Sequence, residues 1–151
     1  MNKYIDERLI FFLNEEHKEE AIWRLINGVV EQRKLPEDQE TFYQAILERE
    51  KLVSTGIGIG IAVPHTRVDG AFFVAIGIQK QRGIEWGAID NMPVHIIFLI
   101  GGPEQKQTEY LSLLSWITQS MKDSHKRKKL LQSSSPQEVV SILCTRELVL
   151  V

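Results

Sequence analysis

His65 closes the run Ser-Thr-Gly-Ile-Gly-Ile-Gly-Ile-Ala-Val-Pro-His, residues 54 to 65. A neutral imidazole is a competent nucleophile and can carry a covalent group. Pro64 fixes its own φ and pushes Val63 into an extended shape, so His65 is expected on a rigid turn. The glycines leave room for a bulky group to approach the ring, and bare backbone N–H groups in such a turn can bind an anion. A phosphate also needs cations and hydroxyl donors. Arg49 and Arg67 are the candidate cations, and Ser54, Thr55 and Thr66 the candidate donors. A plainer reading stays open on local pattern. Alternating Gly and Ile could be a strand with one bare face, packed closely by another backbone or side chain, and a lone histidine is often structural. That reading does not account for the ending Val63-Pro64-His65-Thr66-Arg67.

Other phosphate loops fit poorly. The run lacks the third glycine of a dinucleotide fingerprint, Pro64 obstructs the helix that should follow, and no Walker lysine is present. The remaining histidines are weaker candidates. His17 is expected exposed at a helix start, His95 interrupts an apolar strand and should be hydrogen-bonded, and His125 lies in the basic run His125 to Leu130, a solvated helix face. No His, Cys, Asp and Glu set has metal-ligand spacing, so no metal and no cofactor is expected. Cys144 is the single cysteine, which excludes an internal disulfide and reads as a buried thiol.

These residues must be positioned by a folded domain. The 151 residues suit one domain over the whole chain, and 43% hydrophobic with 25% charged residues marks a globular chain. A net charge of −2 gives no electrostatic case for nucleic acid or a membrane surface. The N-terminus is too charged for a signal peptide, and no apolar run approaches the ~20 residues of a membrane span. A cytoplasmic protein is expected.

Leu9 to Leu13 reads as a short strand. Ala21, Ile22, Leu25, Ile26, Val29 and Val30 form one stripe of a helix over His17 to Arg33. Pro36-Glu37-Asp38 should form the first turn of a second helix, which ends near Glu50 or Leu52. Phe72 to Gln79 and Val94 to Ile100 are β-rich apolar runs, the second stopped by Gly101-Gly102-Pro103. Glu104 to Asp123 reads as a helix, and a short one follows at His125. Ser135-Pro136-Gln137-Glu138 is a capping box that opens the last helix. Glu147 to Val151 could be a strand. The class is α/β, a single domain with a mixed β-sheet flanked by helices on both faces.

Glu48-Arg49-Glu50-Lys51, Ser54-Thr55-Gly56-Ile57-Gly58 and Gly60-Ile61-Ala62-Val63-Pro64-His65 together resemble the signature of enzyme IIA domains of the fructose/mannitol type, in the phosphoenolpyruvate-dependent phosphotransferase system. Gly83 to Pro103 is similar to the family's block before a buried strand, and Tyr110 to Ser115 and Ser133 to Leu143 match its late helices. As a free-standing domain the chain looks closest to the nitrogen-regulatory branch. The resemblance implies that His65 takes phosphate from phospho-HPr, that Arg49 neutralises the phosphoryl group, and that Ser54 and Thr55 lie beside it. Phosphoryl transfer depends on positioning and charge neutralisation, and a carrier should lack a base that activates water. No carboxylate lies in Gly60 to His65, and the first adjacent acid is Asp69. If Ile57 to Val63 were one extended strand, at ~3.3 Å per residue, His65 would stand roughly 20 Å from Thr55. The glycines are therefore expected to fold the run back into a tight loop whose backbone lines a phosphate pocket.

Two positions depart from the family pattern. Ile59 stands where a polar residue is usual, and Tyr110 stands where a second histidine is usual. A tyrosine can donate one hydrogen bond to phosphate but offers no positive charge, or it can simply pack on the core. Three functions follow: a phosphocarrier regulating an unidentified partner, a transport component passing phosphate to a IIB domain, and a binding module that has lost phosphorylation. Tyr110 and the free-standing form point to the first; Arg49, Ser54, Thr55 and His65 together argue against the third.

Overall fold

The computed structural model describes residues 4–33, 38–70 and 72–144. The elements run β1 (Ile10–Phe12), α1 (Lys18–Arg33), α2 (Gln39–Leu52), β2 (Gly56–Gly58), β3 (Ile61–Ala62), β4 (His65–Arg67), β5 (Phe73–Ile78), β6 (Ile96–Gly102), α3 (Gln107–Met121), α4 (Ser124–Gln132) and α5 (Pro136–Leu143). The six strands form one mixed sheet in the order β1-β5-β6-β3-β2, with β4 also on β6. β5 and β6 are antiparallel neighbours, while β1 runs parallel to β5 and both β3 and β4 run parallel to β6.

Apolar runs buried on both faces explain the two central strands. Phe73, Ala75, Ile97 and Leu99 join Leu25, Ile26, Phe42 and Ile46 in the core under α1 and α2. Val74, Ile76, Ile78, Ile96, Phe98 and Ile100 join Leu113, Ile117, Met121, Val139 and Leu143 in the core under α3 and α5. Helices cover both faces of the sheet, as the pattern predicts. Among the described residues no helix is long and apolar enough to cross a membrane.

Several boundaries differ from the expectation. α2 opens at Gln39, because the Asp38 carboxylate caps it by accepting the Thr41 N–H at 2.8 Å. Pro36 and Glu37 lie outside the described residues, as does the Glu147 to Val151 run. Gly101 and Gly102 do not stop β6. They extend it, pairing with Thr66 and Arg67 of β4. Rings fill the space their side chains would take: a Cβ would come within 2.4 Å of Phe73 at Gly101 and 2.4 Å of Phe72 at Gly102. Glu104–Lys106 is a 3-10 turn that leads into α3. Ser135 caps α5 as predicted, its hydroxyl accepting the Glu138 N–H at 3.2 Å. Cys144 is half-buried, and burial pushes its thiol pKa up.

Candidate active site

β3 and β4 lie along the same edge of β6, two steps of one interrupted strand: Ile61 and Ala62 pair with Ile96 and Ile97, then His65 to Arg67 with Ile100 to Gly102. Proline has no N–H for the ladder, and Pro64 sits at the interruption. Its carbonyl still accepts from the Ile100 N–H at 2.9 Å. His65 therefore follows a fixed backbone step, with its neighbours held by β6. Its Nδ1 lies 3.3 Å from the Val63 carbonyl oxygen. A carbonyl only accepts, so Nδ1 carries the proton and Nε2 keeps the lone pair. The His65 pKa is lowered, chiefly by burial; the Val63 carbonyl opposes that shift, Arg49 adds to it, and Glu50 opposes it. The ring is neutral at neutral pH, with Nε2 as its nucleophilic nitrogen.

His65 borders a cavity of about 310 Å³ with Arg67, Phe72, Lys106 and Tyr110. Tyr110, in the first turns of α3, packs against the imidazole with ring centroids 4.9 Å apart. Burial pushes its phenol pKa up, against the pull of Arg49, so the hydroxyl stays protonated. Arg49, in the last turn of α2, does not border this cavity, but its charge is felt there. Its Nη1 donates to the Val53 carbonyl at 3.1 Å, and its charge acts on both His65 and Tyr110. The sequence spacing alone does not bring His65 and Tyr110 together; β4 and the start of α3 do.

The two hydroxyls behave differently. Ser54 Oγ accepts the Gly56 N–H at 3.1 Å, which leaves the hydroxyl proton for another acceptor. The Thr55 hydroxyl donates to Glu50, a buried carboxylate. Thr55 is thus an anchor of the loop, and its proton is committed. Arg67 pairs with Asp69 at 3.5 Å and Glu104 at 3.1 Å, so the first acid after His65 in the sequence and the acid bordering the cavity are both held by a cation. His95 Nδ1 lies 2.8 Å from the Gln79 carbonyl oxygen, as expected of a satisfied histidine, and His17 and His125 are exposed.

The glycine run does fold back. β2 and β3 form an antiparallel hairpin, and the Val63 N–H donates to the Thr55 carbonyl at 3.0 Å. At its tip Gly58, Ile59 and Gly60 have φ of 93°, 54° and 80°. The bare-face reading holds as well: at Gly56 a Cβ would come within 2.7 Å of Ala88 Cβ. The expectation that this backbone lines the pocket is corrected. The cavity at His65 is bordered by β4, the end of β6 and the start of α3, and by none of Gly56 to Gly60. Glu50 and its partner Lys18, 3.5 Å away, received no role from the sequence. Glu50 sits inside the quoted Glu-Arg-Glu-Lys segment, a signal that could have found it. Lys18, far off in α1, carried none.

Residues 3–145 match the family model described as phosphoenolpyruvate-dependent sugar phosphotransferase system, EIIA 2. The chain belongs to this EIIA family. Within that setting it is 31% identical over 134 residues to a nitrogen regulatory protein of Escherichia coli (strain K12), covering 87% of this chain and 81% of that one. It is 30% identical over 132 residues to a fructose-specific EIIABC component of Bacillus subtilis (strain 168), covering 87% of this chain but spanning only 21% of that protein. The crystal structure of nitrogen regulatory protein IIA-Ntr from Neisseria meningitidis superposes with a TM-score of 0.85 at 26% identity, covering 94% of this chain and 97% of that one. Both branches of the family are thus represented among the relatives of this EIIA chain, and its sheet with helices on both faces is the family fold.

Proposed function

We propose that this EIIA chain is a phosphocarrier whose phosphorylation state is read by a partner protein, with His65 Nε2 as the acceptor and phosphorylated HPr as the donor. The observation that carries the reading is the His65 tautomer. The Nδ1–H on the Val63 carbonyl leaves the Nε2 lone pair on a neutral ring that borders a cavity. In the step, Nε2 bonds to phosphorus as the donor's P–N bond breaks, and the donor nitrogen keeps that electron pair. Arg49 offsets the phosphoryl charge, while Ser54 and Tyr110 supply neutral hydroxyl donors. Thr55 serves by holding the loop. The Nδ1–H bond supports the positive charge that the phosphorylated ring acquires.

Tyr110 favours a regulator over a fast relay to a IIB domain, because a phenol lends no positive charge to a phosphate on its way out. Incubation with phosphoenolpyruvate, enzyme I and HPr tests the core of the reading. An acid-labile mass increase of one phosphoryl group, absent from His65→Ala, is expected. No increase while HPr itself is charged would leave a binding-only domain. Rapid transfer to a IIB domain would support the transport role, and partner binding that changes with phosphorylation would support the regulator. The protein is expected to work in the cytoplasm, where those donors are found.

A further inference from the structure

A buried anion lies behind the site proposed to receive a phosphoryl group. Glu50 is 7% exposed and follows Arg49 in the last turn of α2. It accepts the Thr55 hydroxyl, and both its carboxylate oxygens lie 3.3 Å from the Thr55 amide nitrogen. A buried carboxylate is costly without a countercharge, and it makes a second negative group nearby harder to accommodate. Its charge is felt at the imidazole, where it pulls the pKa up against Arg49. A phosphoryl dianion on His65 would be repelled by the same charge.

The countercharge comes from outside the glycine motif. Lys18 opens α1, and its Nζ stands 3.5 Å from Glu50 Oε2, with the two side chains 20% and 3% exposed. The same ammonium lies 5.7 Å from the centroid of the Trp86 ring, an arrangement that favours a cation. Trp86 in turn packs against the loop, since a Cβ at Gly56 would come within 2.9 Å of its Cδ1. Lys18 is thus held between a carboxylate that binds Thr55 and an aromatic ring that packs beside Gly56.

Resting on the reading that His65 accepts phosphate, we infer that Lys18 is a positioning residue for that reaction. Its ammonium neutralises Glu50, so that Glu50 can hold Thr55 without repelling the incoming phosphoryl group. Loss of Lys18 alone leaves the anion uncompensated. Loss of both charges removes the repulsion, while a glutamine at position 50 still accepts the Thr55 hydroxyl.

Three variants separate charge from structure: Lys18→Met, which keeps the stem, Lys18→Arg, and the double variant Lys18→Met with Glu50→Gln. Two quantities are read: the rate of His65 phosphorylation by phosphorylated HPr, and the His65 titration midpoint by NMR in the unphosphorylated protein. Lys18→Met should slow phosphorylation about tenfold, the effect of one unit of pKa-sized interaction, and raise the His65 midpoint. Lys18→Arg should keep both near the parent values, and the double variant should bring both back toward them. A merely structural tie predicts a double variant as slow as Lys18→Met, because the ion pair is missing in both. That result, or a parent-like rate and midpoint in Lys18→Met, overturns the inference. If the parent protein itself takes no phosphate, the proposed function fails. The midpoint then still decides the charge coupling, and an unshifted His65 in Lys18→Met overturns it.

Discussion

The imidazole of His65 and the phenol ring of Tyr110 face each other at 4.9 Å between centroids, tilted by 44°. β4 supplies one ring and α3 the other, so the contact joins a strand of the sheet to the start of a helix, and both rings line the cavity. Both rings are neutral at neutral pH, and Arg49 is the cation that acts on both. Arg67 and Lys106 also border the cavity but are paired with Glu104 and Glu109, and a site whose unpaired partner for the phosphate is a neutral hydroxyl is suited to hold a phosphoryl group. An unpaired cation would ease its departure by offsetting charge on the transferring group.

Tyr110→His should therefore change onward transfer more than acceptance. The expected result is faster loss of phosphate from His65 to a IIB domain, with the rate of loading from phosphorylated HPr changed less than severalfold. Chase of labelled protein with each acceptor measures both. Equal chase rates in the two proteins would remove Tyr110 from the account of why this chain reads as a regulator.

Arg49→Ala tests charge neutralisation. The side chain is half-buried and its hydrogen bond is to the Val53 carbonyl at an exposed helix end, so little of the core depends on it. Phosphorylation should fall roughly a hundred- to a thousandfold, the range seen when one preorganised donor to a charged transition state is removed. The melting temperature should stay within about 2 °C of the parent, as for substitutions away from the core. Arg49→Lys should recover part of the rate. Normal labelling of Arg49→Ala would show that the phosphoryl charge is met elsewhere.

The lowered His65 pKa has two consequences with the same sign. First, NMR titration should place its midpoint below the ordinary 6.5, and phosphorylation should weaken only as the pH drops through that midpoint. Second, the unfolded chain binds the proton more readily than the folded one. The stability contribution is then fully present above the unfolded value and is lost as pH falls through the folded one. His65→Gln should show a flatter decline in stability over that window. A midpoint above 6.5 would mean that Glu50 and the Val63 carbonyl outweigh burial and Arg49.

Much of this arrangement was legible in the sequence. Val74 to Ile78 and Ile96 to Ile100 announce themselves because strands buried on both faces must be apolar throughout. Ser135 marks a helix start because orphan N–H groups need a local acceptor, whereas Asp38 reads as part of a first turn and is instead the cap of α2. Gly58 and Gly60 marked a fold-back because positive φ is a property of the single residue. What stayed hidden depends on residues distant in the chain. Gly101 and Gly102 read as a stop, yet they extend β6 because the rings of Phe73 and Phe72 occupy the side-chain space. Thr55 read as a donor to phosphate, yet its proton goes to Glu50, whose burial depends on Lys18, 32 residues earlier. The hairpin precedes His65 in the sequence, yet it does not border the cavity, because β4, the end of β6 and the start of α3 enclose that space.

Ile59 tests that last distinction. It holds φ at 54° with its side chain 50% exposed, a β-branched residue in the left-handed region with little burial in return. That conformation costs roughly 1–2 kcal/mol for a residue with a Cβ and least for Gly, Asn and Asp. The Asp90 carboxylate accepts the Ile59 N–H at 3.0 Å and pins the tip, a bond that any side chain at position 59 leaves intact. Ile59→Asn should thus raise the melting temperature by about 2–4 °C, the shift that 1 kcal/mol produces in a domain of this size. Because the tip does not border the cavity at His65, the same variant should be phosphorylated at the parent rate. A stabilised protein with altered phosphorylation would return the hairpin tip to the site. A lower melting temperature would mean that the isoleucine makes packing contacts worth more than the strain.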